Sequence, residues 1–154
     1  KLFQDLSPAQ FLAFSSSSSA AALPVTMECV TENMKVSKSV ADFVLPIGAT
    51  MNMNGTSLYQ AVATVFLAQM HGIDLEFSQY LMIVVTATLA SVGSAAVPSA
   101  GLVMLVMVLS AIGLNPAWIG ILFPVDRILD MSRTVVNVTG DATVSAAIDH
   151  WEKD

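Results

Sequence analysis

Two long stretches of this chain carry no charge. Residues 43–70 have none, and residues 77–125 contain no Asp, Glu, Lys, Arg or His. Each is long enough to cross a hydrocarbon core of about 30 Å, yet neither reads as a plain apolar span. The first is interrupted by Pro46, Gly48 and the run Asn52-Met53-Asn54-Gly55-Thr56. That predicts a broken helix whose unwound backbone lines a site. The second holds a cluster of small residues with Pro98, from Ala90 to Gly101, which is a turn signal. Its arms, 80–89 and 102–112, are too short to cross, because about 14 helical residues reach only about 21 Å. Short apolar arms around a small-residue tip predict a re-entrant helical hairpin. The serine run 15–19 has the same arrangement and predicts the tip of another.

The rest of the pattern fills in around these elements. Residues 1–14 predict a short amphipathic or interfacial helix, with Ser7 as N-cap and Pro8 in the first helical position. Residues 25–34 predict a helix running into an aqueous end at Glu28, Glu32, Lys35 and Lys38. A polar turn covers 71–76. The last helix is placed at 118–148, opened by Asn115-Pro116-Ala117-Trp118. A polar tail, 149–154, then leaves the membrane with Trp151 as an interfacial anchor. The predicted class is an all-α membrane protein with a broken transmembrane helix, re-entrant hairpins and a polar-striped C-terminal helix. Two interrupted elements in one short chain point to a carrier binding site.

That last helix carries the chemistry. Asp126, Asp130, Arg133, Asn137 and Asp141 are spaced 4, 3, 4 and 4 apart, so they share an arc of about 80°. Thr134 borders it, and the opposite face is assigned Ile128, Val135, Val138 and Ala142. Intramembrane charges are costly and mark substrate or ion pathways. Asp130 can pair with Arg133, and carboxylate remains to suit a cation. The planar guanidinium suits bidentate capture of a substrate carboxylate. At the helix break, Gly55 frees carbonyls that, with the amides, are hard ligands for a hard cation. The two tips offer helix ends and hydroxyls, which attract anionic groups.

Composition narrows the classes. Hydrophobic residues make up 55% and charged residues 12% of the 154, where soluble domains carry roughly 25% charge. The net charge is −6 with no basic cluster, which excludes a nucleic-acid footprint. Cys29 is the single cysteine, so no intrachain disulfide forms, and it reads as a buried thiol. His71 and His150 are assigned to polar turns without ligand spacing. No nucleophile–base motif, phosphate loop or zinc signature occurs, so no enzyme is expected. The opening Lys1-Leu2-Phe3-Gln4-Asp5 lacks signal-peptide character and reads as the start of a fragment.

Four segments in order resemble the sodium:dicarboxylate symporter family, which includes glutamate and aspartate transporters. They are the serine run 15–19 with Leu23-Pro24-Val25-Thr26, the stretch from Leu45 to Thr56, the tip from Ala90 to Gly101, and the helix from Asp126 to Asp141. The resemblance covers nearly the whole chain. It implies the C-terminal part of an elevator-type transport domain without its scaffold domain: hairpin 1 up to residue 34, a helix-7-like element at 43–70, hairpin 2 at 77–113 and a helix-8-like element at 118–148. It further implies sodium-coupled symport of acidic amino acids or C4-dicarboxylates, in a multi-pass plasma or inner membrane protein that is a homotrimer at full length. Arg133 matches the residue holding the substrate's side-chain carboxylate, and Asp130 the one holding its amino group. Ser18, Ser19, Thr56, Val97, Gly101, Thr134 and Asn137 match the remaining substrate contacts. One sodium site matches Gly48, Asn52, Asn137 and Asp141, and a second matches Thr50, Ser91, Val92 and Ser94, closed off by hairpin 2.

Three departures from the family stand out. Asn54 replaces an aspartate that helps hold a third sodium ion in many relatives. Gln60 replaces the glutamate of proton-coupled animal transporters, which argues against proton and potassium coupling of their kind. Ser17 and Met131 fill the two positions where relatives place an extra arginine, leaving Arg127 as the available substitute. The rival readings are a neutral amino-acid carrier, against which Arg133 argues, a soluble helical binding or structural domain, and a channel-like pore.

Overall fold

A computed structural model describes residues 2–153, and every element among them is helical. The helices are α1 (Leu2–Ser16), α2 (Ser19–Glu28), α3 (Lys38–Met51), α4 (Asn54–Met70), α5 (Phe77–Val92), α6 (Ala100–Ala111) and α7 (Phe123–Lys153). A π-helical turn, Cys29–Asn33, extends α2, and a 3-10 turn, Pro116–Ile121, precedes α7. The break expected in 43–70 falls at Asn52 and Met53, between α3 and α4. The two expected hairpins form, because α1 packs on α2 and α5 packs on α6.

Several boundaries differ from the sequence reading. Ser7 and Pro8 do not start α1 but lie inside it. Pro8 cannot donate to the carbonyl of Gln4, and Ser7 Oγ donates to that carbonyl instead, at 3.0 Å. The helix expected at 25–34 begins at Ser19, capped by the Ser18 side chain on the Ala21 N–H. The tail 149–153 remains helical, so His150 lies in α7 rather than in a turn.

Two apolar clusters organise the packing. One joins α1, α2, the π turn and α3 to Val138 and Ala142 of α7. The other joins α4, α5 and α6 to the 3-10 turn region. Val138 and Ala142 are thus buried beside the polar stripe, not opposite it, since α7 buries about half its circumference. The outward surface is apolar: Phe11, Phe43, Leu58, Phe77, Leu89, Val103 and Ile128 are each more than half exposed. No helix among the described residues is long and apolar enough to cross a membrane. The chain replaces long spans with broken and paired helices, and its longest helix, of 31 residues, carries the polar stripe.

Candidate functional site

α7 inverts the usual amphipathic pattern. Asp126, Asp130, Arg133, Thr134, Asn137 and Asp141 are each no more than 5% exposed, while Ile128, Val136 and Val144 face outward. Burial makes each of these groups depend on hydrogen-bond partners.

Arg133 is the centre of the cluster. Its Nε donates to Asp130 Oδ1 at 2.8 Å and its Nη2 to Asp126 Oδ1 at 3.3 Å. The guanidinium lies 4.3 Å from the centroid of the Tyr59 ring. Tyr59 in turn donates its hydroxyl to Asp126 Oδ1 at 3.3 Å. Two carboxylates therefore face one guanidinium. Arg133 Nη1 is nevertheless buried without a partner.

Asn137 organises the start of α4. Met53, at the N-cap, provides no side-chain cap. Asn137 Oδ1 instead accepts from Gly55 N–H at 2.7 Å and Thr56 N–H at 3.4 Å, and its Nδ2 donates to Thr56 Oγ1 at 3.2 Å. The cap comes from another helix, which fastens the break to α7. Gly55 is needed for this approach, since a Cβ there would lie 2.3 Å from the Arg133 carbonyl oxygen.

One helical turn further along α7, Asn52 Nδ2 donates to Asp141 Oδ1 at 3.0 Å. The Asp141 carboxylate also packs on Gly48, where a Cβ would be 2.6 Å away. Gly48, Asn52 and Asp141, expected together as cation ligands, thus do come together. Of the second expected set, Ser91 and Ser94 are buried, whereas Thr50 and Val92 are exposed. The Thr50 and Ser91 hydroxyls bond within their own helices, to Ile47 and Thr88 carbonyls. Asn54 points outward beside Gly140, in a groove of about 440 Å³ between α1 and α7 that Gln10 and Thr139 also line. No three His, Cys, Asp or Glu side chains gather as a metal cluster among the described residues.

Both hairpin tips close over Arg133. Ser18 Oγ donates to the Ala96 carbonyl at 2.7 Å, joining tip to tip. Ser99 N–H donates to Asp130 Oδ2 at 2.7 Å, joining the second tip to α7. Between them lies a cavity of about 10 Å³, room for about one water. Its lining includes Ser17, Ser19, Thr56, Ser94, Val97, Gly101, Asp130, Arg133, Thr134 and Asn137. Three of the lining residues carry a buried side-chain atom without a hydrogen-bond partner: Ser17 Oγ, Ser94 Oγ and Arg133 Nη1. Unpaired buried polar atoms cost about 1–3 kcal/mol each, a cost that a hydrogen-bonding group placed among them would lower. A larger hollow of about 500 Å³ on the outer side of α4 and α7 is lined by Leu58, Val62, Phe66 and Leu129, and offers apolar surface instead.

Of the expected substrate residues, all but Ser18 line the cavity, and Ser18 bonds the tip above it. Arg127 is exposed on the far side of α7 and does not replace the missing arginine. Sequence reasoning passed over Tyr59 and left Asp126 without a role. The signal for Tyr59 was its place three residues after Thr56, on the same face of α4.

The sequence profile described as the sodium:dicarboxylate symporter family matches residues 1–151. The chain is 48% identical over 151 residues to human excitatory amino acid transporter 2, an alignment covering 98% of this chain and 26% of the relative. It is 48% identical over 141 residues to an excitatory amino acid transporter of Caenorhabditis elegans, covering 92% and 28%. It is 51% identical over 137 residues to mouse excitatory amino acid transporter 3, covering 89% and 26%. The chain spans about a quarter of the length of these curated relatives.

Proposed function

The chain belongs to the sodium:dicarboxylate symporter family, and from that premise we propose that it is the substrate- and sodium-binding part of a membrane carrier for acidic amino acids. The observation that carries this reading is Arg133, which lines the polar cavity between two hairpin tips and whose Nη1 is a buried charged donor without a partner. A substrate carboxylate supplies the missing acceptor, in the charge-assisted geometry that guanidinium favours. Asp130 is the counter-charge for the substrate's ammonium. Ser18, Ser19, Thr56, Thr134, Asn137 and the backbone at Val97 and Gly101 hold what remains of a small amino-acid dicarboxylate. The names of the relatives support acidic amino acids over plain dicarboxylates.

Sodium is cargo in this reading. Gly48, Asn52, Asn137 and Asp141 are proposed to hold one ion. Thr50, Ser91, Val92 and Ser94 are proposed to hold a second, mainly through backbone oxygens. Binding of the first ion orders the α3–α4 break. The second ties α5 to α3 and favours closure of the 93–99 tip. Asn54, lacking charge, weakens the third site of many relatives. The chain is proposed to be the C-terminal part of an elevator-type transport domain, acting in a multi-pass membrane protein that assembles as a homotrimer. No bond is made or broken in the substrate.

The test is sodium-dependent uptake of labelled aspartate and succinate by the full-length parent in liposomes. Uptake of aspartate is expected to need a sodium gradient, and Arg133→Cys is expected to lower it at least a hundredfold. Unchanged aspartate affinity in Arg133→Cys would overturn the assignment.

A further inference from the structure

Non-glycine residues rarely adopt positive φ, and a β-branched residue does so only under strain. Among the described residues three do so: Ser17 (φ 53), Lys35 (φ 62) and Ser99 (φ 62). Two of the three are the turning points of the two hairpin tips. Ser17 separates α1 from α2, and Ser99 starts α6.

Ser99 shows what this conformation costs. It is the N-cap of α6, a position where serine normally caps with its side chain. In the left-handed region it makes no such bond. Its side chain is exposed and does not line the cavity. What holds it is its own N–H, donating to Asp130 Oδ2. The other oxygen of the same carboxylate accepts from Arg133 Nε. Asp130 thus connects the tip to the guanidinium that the substrate is proposed to meet.

The cavity beneath has room for about one water, far less than an amino acid. Something lining it must move for a substrate to enter or leave. Three stretches of the lining lie outside the helices, at Ser17, at Met53 and in 93–99; 93–99 is the longest of them, and it is fastened from outside itself by Ser18 and Asp130.

We propose that Ser99 is the residue that sets how long substrate stays bound. Its left-handed backbone is strained when the tip is closed and relaxed when the tip opens, so it biases the tip toward release. The bond to Asp130 holds that strain. This rests on the substrate reading above, and it extends it from what binds to how fast the ligand leaves. Residue 99 then acts through backbone preference alone. Glycine takes positive φ freely, asparagine tolerates it, serine less so, and valine resists it.

The experiment replaces Ser99 with Gly, Asn and Val in the full-length parent. Two quantities are read. One is the dissociation rate of labelled aspartate in sodium. The other is amide hydrogen exchange over 93–99 without substrate. Dissociation is expected to follow the order Gly, Asn, Ser, Val from slowest to fastest, with Gly about five- to thirtyfold slower than Ser, the range that relief of one left-handed residue gives. Tip exchange is expected to follow the same order. Aspartate binding with no such order in either readout would overturn the proposal. An ordered exchange series with no aspartate binding would keep the latch and sink the substrate reading. A series set by side-chain polarity instead of φ preference would also overturn it, because the hydroxyl would then be the acting group.

Discussion

Arg133 shows how much of this site is made by neighbours far away in sequence. The i−3 and i−7 carboxylates on its own helix were readable as a stripe, and both do bond it. Tyr59 comes from α4 and sets its ring 4.3 Å from the guanidinium carbon, within cation–π range. It also holds Asp126, so the three groups share one geometry. Tyr59→Phe keeps the ring and removes the hydroxyl. It is expected to weaken acidic-substrate uptake several-fold by loosening Asp126, whereas Tyr59→Ala is expected to cost more, because a desolvated cation–π contact is worth about 2 kcal/mol. Uptake kinetics of the two variants check this. Equal losses would mean that the ring beside Arg133 contributes nothing. Gly55 makes a sharper case of the same kind. A methyl group there meets the Arg133 carbonyl oxygen at 2.3 Å. Gly55→Ala is expected to destabilise by about 1–3 kcal/mol, read as a lower melting temperature in detergent. The glycine was legible as a break signal, but not as the point where α4 touches α7, since nothing local encodes a partner 78 residues away.

Elements were legible wherever period, charge or small-residue runs marked them. The α3–α4 break and the α5–α6 tip fall where the sequence placed them. The starts of α1 and α2 did not, because Pro8 and Pro24 lie inside helices. Packing overrode the usual proline punctuation, and Ser7 supplied the missing bond at Gln4. The polar tail expected at 149–154 continues α7 as far as Lys153 and holds the start of α3. Asp149 accepts from Ser37 N–H at 2.9 Å and pairs with Lys153. The Lys153 ammonium first, and the Ser37 backbone second, hold its carboxyl down at about 2. A depressed carboxyl stabilises the folded chain above its unfolded value near 4 and loses that contribution as pH falls toward 2. Asp149→Asn is therefore expected to lower the melting temperature at pH 6 and to make no difference at pH 2. A constant difference across that range would show that the carboxylate charge plays no part in joining α7 to α3.

At the scale of the whole molecule, the polar groups are inside and the apolar groups outside. In water that arrangement wastes surface. Soluble proteins rarely expose contiguous apolar patches beyond a few hundred Å². Here Phe77, Leu81, Val84 and Leu89 line one side of α5, and Leu58, Val62 and Phe66 one side of α4, all exposed. The low charge content anticipated such a surface. The division of the chain into broken helices did not follow from composition, because a hydropathy pattern cannot distinguish a single span from two half-helices that meet at a site. The charged ends are different: Glu28, Lys38 and Asp74 are exposed at the ends of elements, where an aqueous boundary belongs. Lipid or other packed helices can cover the apolar faces but not these ends. Single cysteines introduced in the parent separate the two environments. A charged, membrane-impermeant maleimide is expected to label Glu28→Cys, Lys38→Cys and Asp74→Cys at least tenfold faster than Phe77→Cys, Val84→Cys and Leu58→Cys, with the parent in open membrane fragments so that both sides are reached. If the apolar positions label as fast as the ends, water bathes the outer surface, and the inverted pattern must have a cause other than the bilayer.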